Sequence, residues 1–287
     1  MNKKYIGYGQ IALASVFWST AGLWIKLINA NPLAISGFRA VFAALTILVF
    51  MTVTREKILV NKRTLIPSIF MCGSFISFVI ANKMTTAANA IVLQFTSPIF
   101  ILAIQALFLR QKIEKRDIIA VLITFFGIFL FFLDQMGTGE LIGNLLSIFA
   151  GVCMALMYVT VGNLKDEEKL SGILFGHGLT AIIGVPFAFI LPFTPGAEGF
   201  MYLILLGVVQ LGIPYILLGK ASKNCSALAI SLIAVIEPLL NPVWVAIFDG
   251  EVPGPFALVG AVVILVSVTS WCIISDKAEK KSSCEAC

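Results

Sequence analysis

Charged residues are scarce in this chain, and histidine is nearly absent. Only 12% of the 287 residues are Asp, Glu, Lys or Arg, and His177 is the single histidine. A soluble domain carries about twice that share of charge, so a water-exposed globular fold is excluded. One histidine also excludes a cluster or relay of several histidines. What the chain has instead is 59% hydrophobic residues and a mean hydropathy of +1.01, which place it in a lipid bilayer.

Sequence signatures of enzymes are missing as well. The chain contains no HExxH motif, no glycine-rich phosphate loop ending in Lys-Ser or Lys-Thr, and no Ser/His/Asp set near a bilayer surface. We therefore expect no enzyme activity, no cofactor and no metal. No ATP-binding domain is visible either, so any pumping would draw on a gradient or a partner.

Long apolar segments fill the sequence from end to end. About twenty residues are needed to cross a hydrocarbon core of roughly 30 Å as a helix. Because lipid offers no partner to an unpaired backbone group, these segments should be helical. We predict an all-α integral membrane fold with ten transmembrane helices, near residues 7–28, 32–53, 65–82, 88–109, 117–134, 141–162, 171–191, 199–219, 226–248 and 255–275.

Basic residues collect at alternate connections between these segments. They are Lys3, Lys4, Arg55, Lys57, Lys62, Arg63, Arg110, Lys112, Lys115, Arg116, Lys165, Lys169, Lys220, Lys223, Lys277, Lys280 and Lys281. The opposite side has Lys83 and five acidic residues, namely Asp134, Glu140, Glu198, Asp249 and Glu251. The positive-inside rule then predicts that both termini are cytoplasmic in a plasma membrane, with a bacterial inner membrane expected. The net charge of +5 reflects this topology and indicates no nucleic-acid partner.

The second half of the chain repeats the first at a spacing of about 140 residues. Ala81, Lys83, Ala87, Pro98 and Gln111 fall on Ala221, Lys223, Ala227, Pro238 and Glu251. Since each half holds five helices, an odd number, the two halves should insert with opposite orientation. We predict one repeat over 1–136, a second over 137–276, and a disordered cytoplasmic tail over 277–287. Inverted repeats place a binding site near the bilayer midplane and allow alternating access.

Several motifs carry a family resemblance. These are Phe17-Trp18-Ser19-Thr20 with Lys26, Arg39, the run 85–98 (TTAANAIVLQFTSP), its partner 226–238 (SALAISLIAVIEP), and Gly250-Glu251. Together they resemble EamA-type members of the drug/metabolite transporter superfamily over nearly the whole chain. The resemblance implies two EamA repeats and transport of small metabolites, commonly amino acids or related compounds and often outward. Gln111 departs from the glutamate usual after the fourth helix, at the membrane edge.

Four ionisable residues lie within the predicted helices, where burying a charge is costly. Glu237, before Pro238, could bind a cation or a proton, or accept a hydrogen bond that stabilises a kink. Arg39 could hold a substrate carboxylate, but its depth of about 10 Å favours snorkelling or pairing with another helix. Lys26 is a gate candidate that could equally snorkel. His177 could sense protons, although a neutral histidine hydrogen-bonded within the bundle is the commoner outcome.

Uncharged polar and aromatic residues extend this candidate set. They are Trp18, Tyr158, Tyr215 and Trp244, with Asn89, Gln94, Gln210 and Asn241. Such residues line cavities that bind amino-acid side chains or organic cations. They also pack between helices and hydrogen-bond across them, so both interpretations stay open.

These observations predict a secondary transporter, an exporter of an amino acid or similar small polar metabolite. Alternating access would be facilitative or coupled to protons. Its partners would be the small-molecule substrate and the lipid bilayer, and the oligomeric state stays open. A channel-like facilitator and a multidrug or organic-cation exporter are the alternatives, although no filter-like motif is present.

Overall fold

The structure is a computed structural model that describes residues 3–85, 87–133, 141–240, 244 and 255–285. Within these ranges the fold is helical and contains no β-strand, apart from one isolated bridge between Ala30 and Phe193. The predicted all-α class is thereby confirmed. Many large apolar side chains, including Val49, Ile182 and Phe189, lie exposed on the outside of the bundle, as expected where lipid covers it.

The helices follow one another with short connections. They are α1 (Lys3–Trp18), α2 (Ala21–Leu27), α3 (Pro32–Val53), α4 (Lys62–Met84), α5 (Ala87–Gln94), α6 (Ser97–Leu107), α7 (Lys115–Phe132), α8 (Leu141–Gly162), α9 (Lys169–Gly184), α10 (Phe187–Ile190), α11 (Gly196–Leu205), a π-helical segment (Leu206–Gly212), α12 (Ile213–Ala221), α13 (Ala227–Ile233) and α14 (Pro255–Glu285).

Seven helical stretches of the described chain are long and apolar enough to cross a membrane. They are Pro32–Val53, Lys62–Met84, Ala90–Leu107, Leu141–Gly162, Lys169–Ile190, Gly196–Ala221 and Leu258–Ser275. Shorter apolar helices, such as Ala227–Leu240, accompany them. The chain is therefore a multi-pass membrane protein by the length and composition of its helices, whereas the count of ten stays a prediction.

Several segments predicted as single helices are interrupted. The first changes direction at residues 19–20, the fourth at 95–96 and the ninth at 234–235, where turns replace helix. The eighth contains the π-helical segment, which ends just before Pro214. Because proline has no N–H, Pro214 cannot donate a hydrogen bond to the carbonyl oxygen of Gln210, four residues earlier. That carbonyl oxygen is therefore left out of the regular α-helical hydrogen-bond pattern.

The tail predicted as disordered is instead helical as far as Glu285, because α14 continues beyond its apolar part. Residues 276–285 include three Lys, two Glu and one Ala, which have high helix propensity, and no Gly or Pro, so the apolar helix is extended rather than ended.

Helix starts and helix contacts both reflect the 140-residue spacing. Helix α5 begins at Ala87 and α13 at Ala227, while α7 begins at Lys115 and α14 at Pro255. The packing follows the same correspondence. Helix α4 packs on α8, and the matching helices α12 and α1 pack on each other. Likewise α5 packs on α8, and α13 packs on α1. The helices of two further matching pairs, α3 with α9 and α7 with α14, are in direct contact.

Helices α3 and α9 approach most closely where two glycines face each other. A Cβ atom on Gly184 would lie 2.6 Å from the Cα atom of Gly37 and from the carbonyl oxygen of Leu33. Beside this crossing, the Asn31 side chain donates to the carbonyl oxygen of Pro192 at 3.2 Å. One end of the α3/α9 pair is thus closed by contacts between the two halves.

The other end of the α3/α9 pair is closed by polar contacts near the basic connections. The Asn61 Nδ2 atom donates to Glu168 Oε1 at 2.9 Å, and the backbone N–H of Leu59 donates to Ser171 Oγ at 3.0 Å. Glu168 also accepts a hydrogen bond from the backbone N–H of Lys165. This backbone hydrogen bond, with help from Asn61 and nearby basic groups, lowers the pKa of Glu168.

The glycine crossing predicts a specific sensitivity to added volume. Gly184→Ala should lower the stability of the protein in detergent by about 1–3 kcal/mol, because the new methyl group meets backbone atoms that cannot rotate away. The measurement is thermal unfolding. Gly178→Ala on the same helix is the matched control, since its Cβ would meet nothing within 4 Å, and it should be neutral or slightly stabilising. Equal effects of the two substitutions would contradict the close contact.

The lowered pKa of Glu168 predicts an acid-dependent loss of stability. Because the folded state binds the proton less readily than the unfolded state, the contribution is complete above the ordinary carboxyl pKa of 4.5 and is lost as the pH falls through the lowered value. Glu168→Gln should therefore melt below the wild type at pH 7. The gap should narrow as the pH falls below 4.5. A gap independent of pH would show that the charge does not matter.

Candidate functional site

A small closed cavity lies inside the bundle between the two halves. Its volume is about 40 Å³, which is room for a few water molecules. It is lined by Trp18, Ala21, Arg39, Phe75, Phe78, Gln94, Met154, Tyr158, Gln210, Leu211, Tyr215 and Glu237. The cavity therefore combines one basic group, one acidic group, two amides and a majority of aromatic or apolar side chains.

Arg39 brings a positive charge into this cavity from α3. The residue is 2% exposed, and its guanidinium carbon lies 5.8 Å from the ring centre of Phe75 on α4. The Nε atom has no hydrogen-bond partner among the described residues. The snorkelling expectation for Arg39 is therefore wrong. Depth along a helix does not fix the direction of a side chain, and Arg39 faces the bundle rather than lipid.

Glu237 brings the acidic group, next to the turn at 234–235. The Glu237 backbone N–H donates to the carbonyl oxygen of Ala234, which closes this turn, and Pro238 follows directly. Glu237 lines both the 40 Å³ cavity and a second cavity of about 20 Å³ that reaches Asn82. Asn82 is near the end of α4 that lies away from the basic connections. Glu237 thus lies between the central cavity and one end of the bundle.

Aromatic rings form a continuous wall beside Arg39. Tyr215 meets Phe75 edge-on at 5.3 Å between ring centres and Trp18 at 5.3 Å. His177 lies behind this wall, stacked on Phe75 at 5.1 Å and edge-on to Tyr215 at 5.0 Å. His177 does not line the cavity itself. The hydrogen bond expected for it is not found, since neither ring nitrogen has a partner among the described residues.

The π-helical segment positions the remaining amide of the second half. Gln210 lies in its middle, is 5% exposed and lines the cavity, and its Oε1 atom has no hydrogen-bond partner in the described chain. Single-turn π segments widen a helix locally and often occur at binding sites. Gln94, the last residue of α5, supplies an amide from the first half.

Hydroxyl groups satisfy the backbone where the helices break. Thr96 Oγ1 donates to the carbonyl oxygen of Leu93 at 2.6 Å, and Ser19 Oγ donates to that of Val16 at 2.6 Å. The two broken regions also meet, because the Oγ atoms of Ser97 on α6 and Ser231 on α13 are hydrogen-bonded at 3.0 Å. These contacts link hydroxyl groups to the backbone and to each other where the helices are interrupted.

Sequence reasoning located part of this lining and missed part of it. The predicted residues at the cavity are Trp18, Arg39, Gln94, Tyr158, Gln210, Tyr215 and Glu237. Trp244 instead donates from Nε1 to Ser19 Oγ at 2.8 Å. Asn241 and the side chains of Lys26 and Asn89 lie outside the described residues.

The lining residues that were missed are mainly Phe75, Phe78 and Met154. Nothing in the sequence separates them from the other phenylalanines and methionines of an apolar chain. Their positions, in the second half of α4 and within α8, become visible only when the helices are packed.

The described residues offer no metal site, because no three His, Cys, Asp or Glu side chains among them are grouped to hold an ion. A cavity lined by polar and aromatic side chains inside a multi-pass helical bundle is typical of membrane transport proteins. The chain belongs to the EamA-like transporter family, whose sequence profile matches residues 5–133 and again 141–270.

Comparisons with individual proteins agree with this family. The chain is 23% identical over 266 residues to an uncharacterized transporter of Archaeoglobus fulgidus, covering 91% of this chain and 94% of that one. It is 25% identical over 283 residues to the pseudopaline exporter CntI of Pseudomonas aeruginosa, covering 93% and 95%. Mouse solute carrier family 35 member G1 is 24% identical over 285 residues, covering 92% and 77%. A solved crystal structure matches with a TM-score of 0.78 at 14% identity, covering 95% and 97%.

The contact between Ser97 and Ser231 predicts an energetic coupling between the halves. In a double-mutant cycle, Ser97→Ala and Ser231→Ala should be less than additive, with a coupling of about 0.6 kcal/mol, as is typical of hydrogen bonds between membrane helices. The measurement is thermal or chemical unfolding in micelles. Ser97→Ala combined with Ser68→Ala, whose hydroxyl bonds only within α4, should be additive. Additivity of the first pair would mean that the hydrogen bond contributes nothing to stability.

Proposed function

We propose that this protein is a secondary transporter that exports a small zwitterionic metabolite, such as an amino acid, by alternating access. Arg39 holds the carboxylate of the substrate, Glu237 holds its ammonium group, and Trp18, Phe75 and Tyr215 contact its side chain. The observation that carries the proposal is the placement of one guanidinium and one carboxylate in the same enclosed cavity.

The charges of the cavity favour a zwitterion over an organic cation. A guanidinium with an Nε atom that lacks a partner can donate to a carboxylate, and such charge-assisted hydrogen bonds are strong in a water-excluded site. A purely cationic substrate would be attracted by Glu237 and the rings but repelled by Arg39. The aromatic wall next to Arg39 contributes contact area and tolerates a range of side chains.

Alternating access follows from a ten-helix inverted repeat, which we propose for this chain with both termini cytoplasmic. The matching helix starts and contacts at a spacing of 140 residues support the repeat, and the basic connections support the orientation. The inverted repeats would occupy 1–136 and 137–276. Rocking one half against the other would open one end of the α3/α9 pair while the opposite end stays closed.

The cavity must enlarge before it can bind substrate, since about 40 Å³ holds only a few water molecules. The rings of Trp18 and Phe78 border both the central cavity and the smaller cavity toward Asn82. Their movement would join the two cavities into an exit path past Glu237. The similarity to the exporter CntI supports this outward direction in a plasma membrane. Protons are a candidate coupling ion through Glu237.

A substrate series tests the two roles separately. We expect the purified wild type to be stabilised against heat by an amino acid, but not by its deaminated acid or its decarboxylated amine. Glu237→Gln and Arg39→Gln should each weaken amino-acid binding by roughly thirtyfold, which corresponds to about 2 kcal/mol for one buried charge partner. Binding is measured by thermal shift, and transport by counterflow into proteoliposomes.

Two control substitutions remove a charge outside the cavity. Lys220 lies over the ring of Phe50 at 4.5 Å, so Lys220→Gln removes a cation over an aromatic ring, as Arg39→Gln does. Glu198 is exposed, so Glu198→Gln is the control for Glu237→Gln. Both controls should bind and transport as the wild type does. Full counterflow in Arg39→Gln and Glu237→Gln would refute the proposed site, and binding of the amine alone would indicate an organic-cation exporter instead.

A further inference from the structure

A second pair of cavities lies away from the central site, where α7 packs against α14. The first is an open groove of about 530 Å³ on the outside of the bundle, lined mainly by branched apolar side chains such as Ile119, Ile123, Val262 and Val266. These four side chains are exposed, so they face the lipid. The groove runs along both helices toward their ends at the basic connections.

The second cavity is a polar pocket of about 260 Å³ at that end. It is bordered by Lys4, Lys112 and Arg116 and by a single carboxylate, that of Asp117. The Asp117 carboxylate is already engaged, because Trp271 Nε1 donates to it at 2.9 Å and the backbone N–H of Glu114 donates at 3.3 Å. Arg116 is itself paired with Glu114 Oε1 at 2.8 Å and lies 3.9 Å from Asp117 Oδ1. With Glu114 counted, three basic side chains face two carboxylates among the described residues, so the pocket remains basic by one charge.

The polar pocket also contains an unused hydrogen-bond donor. Ser275 lines it and is 5% exposed, and its Oγ atom has no hydrogen-bond partner in the described part of the chain. A buried hydroxyl without a partner is costly, so its presence at a positively charged pocket points to a ligand that accepts hydrogen bonds.

The groove and the pocket adjoin each other, because Arg116 and Trp271 line both of them. An apolar channel facing lipid that ends at a basic pocket matches a phospholipid, with its acyl chain in the groove and its phosphate in the pocket. Trp271 lies at the junction, where an amphipathic ring suits the boundary between chain and headgroup. We propose that this site binds one anionic phospholipid from the leaflet on the basic side of the membrane.

Native mass spectrometry and thermal unfolding in detergent test the site with phosphatidylglycerol and phosphatidylcholine of the same acyl chains. The wild type should bind phosphatidylglycerol more tightly and gain more stability from it. The double variant Lys112→Gln/Arg116→Gln should weaken phosphatidylglycerol binding roughly thirtyfold and remove the preference for it over phosphatidylcholine. Each basic side chain near an anionic headgroup contributes a similar share of the binding energy, and this variant removes two of them. Glycerol phosphate alone should not stabilise the protein, since it lacks an acyl chain.

Matched variants separate this site from general attraction to a basic surface. Lys57→Gln/Lys62→Gln removes two charges on the same side of the membrane but outside both cavities, and it should keep the preference. Val266→Trp should fill the groove and weaken the binding of both lipids. Val259→Trp, on the exposed part of α14 outside the groove, should leave the binding of both lipids unchanged. Equal binding of the two lipids by the wild type would overturn the proposal. So would loss of the preference in Lys57→Gln/Lys62→Gln but not in Lys112→Gln/Arg116→Gln.

Discussion

Lipid supplies no hydrogen-bond partner, and this constraint determines where the backbone of this chain can be irregular. Of the five interruptions of helices in the described chain, four lie at or next to the central cavity, at residues 19–20, 95–96, 206–212 and 234–235. The fifth, at residues 185–186, lies away from the cavity, and Pro186 there is exposed. At two of the four, the hydroxyl of a residue in the turn donates to a backbone carbonyl oxygen three residues earlier. The requirement to satisfy the backbone therefore concentrates most of the breaks, the polar side chains and the bending points in one region.

A buried guanidinium and a buried carboxyl group are tolerated in this region because the surroundings are polar and aromatic rather than purely aliphatic. Arg39 lies over Phe75, whose ring face attracts a cation, and the amides of Gln94 and Gln210 line the same cavity. The cavity is nevertheless incompletely satisfied, since Arg39 and Gln210 keep atoms without partners in the described chain. Such groups raise the energy of the empty state and favour a ligand that completes their hydrogen bonds.

The sequence allowed the fold class and much of the cavity to be predicted, for identifiable reasons. Glu237 and the two glutamines stand out because polar residues are rare in apolar helices, and the breaks beside them follow from Pro98 and Pro238. Arg39 was misplaced, because counting residues gives depth but not the face on which a side chain lies. Phe75 could not be found, because an apolar ring at a cavity and one in lipid look the same in a sequence. The tail after residue 276 could not be recognised as helical from its polarity, because polar residues such as Lys and Glu also have high helix propensity.

The length of α14 has a mechanical consequence. Its 31 residues span about 46 Å, which exceeds a hydrocarbon core of roughly 30 Å. The ten residues after its apolar part, 276–285, extend the helix by about 15 Å, as an arm that would stand outside the hydrocarbon core. Since α14 packs along α7, any tilt of that pair during the transport cycle would be amplified at the tip of the arm. A fluorophore attached there would report the movement of the helices as a displacement relative to the bilayer surface.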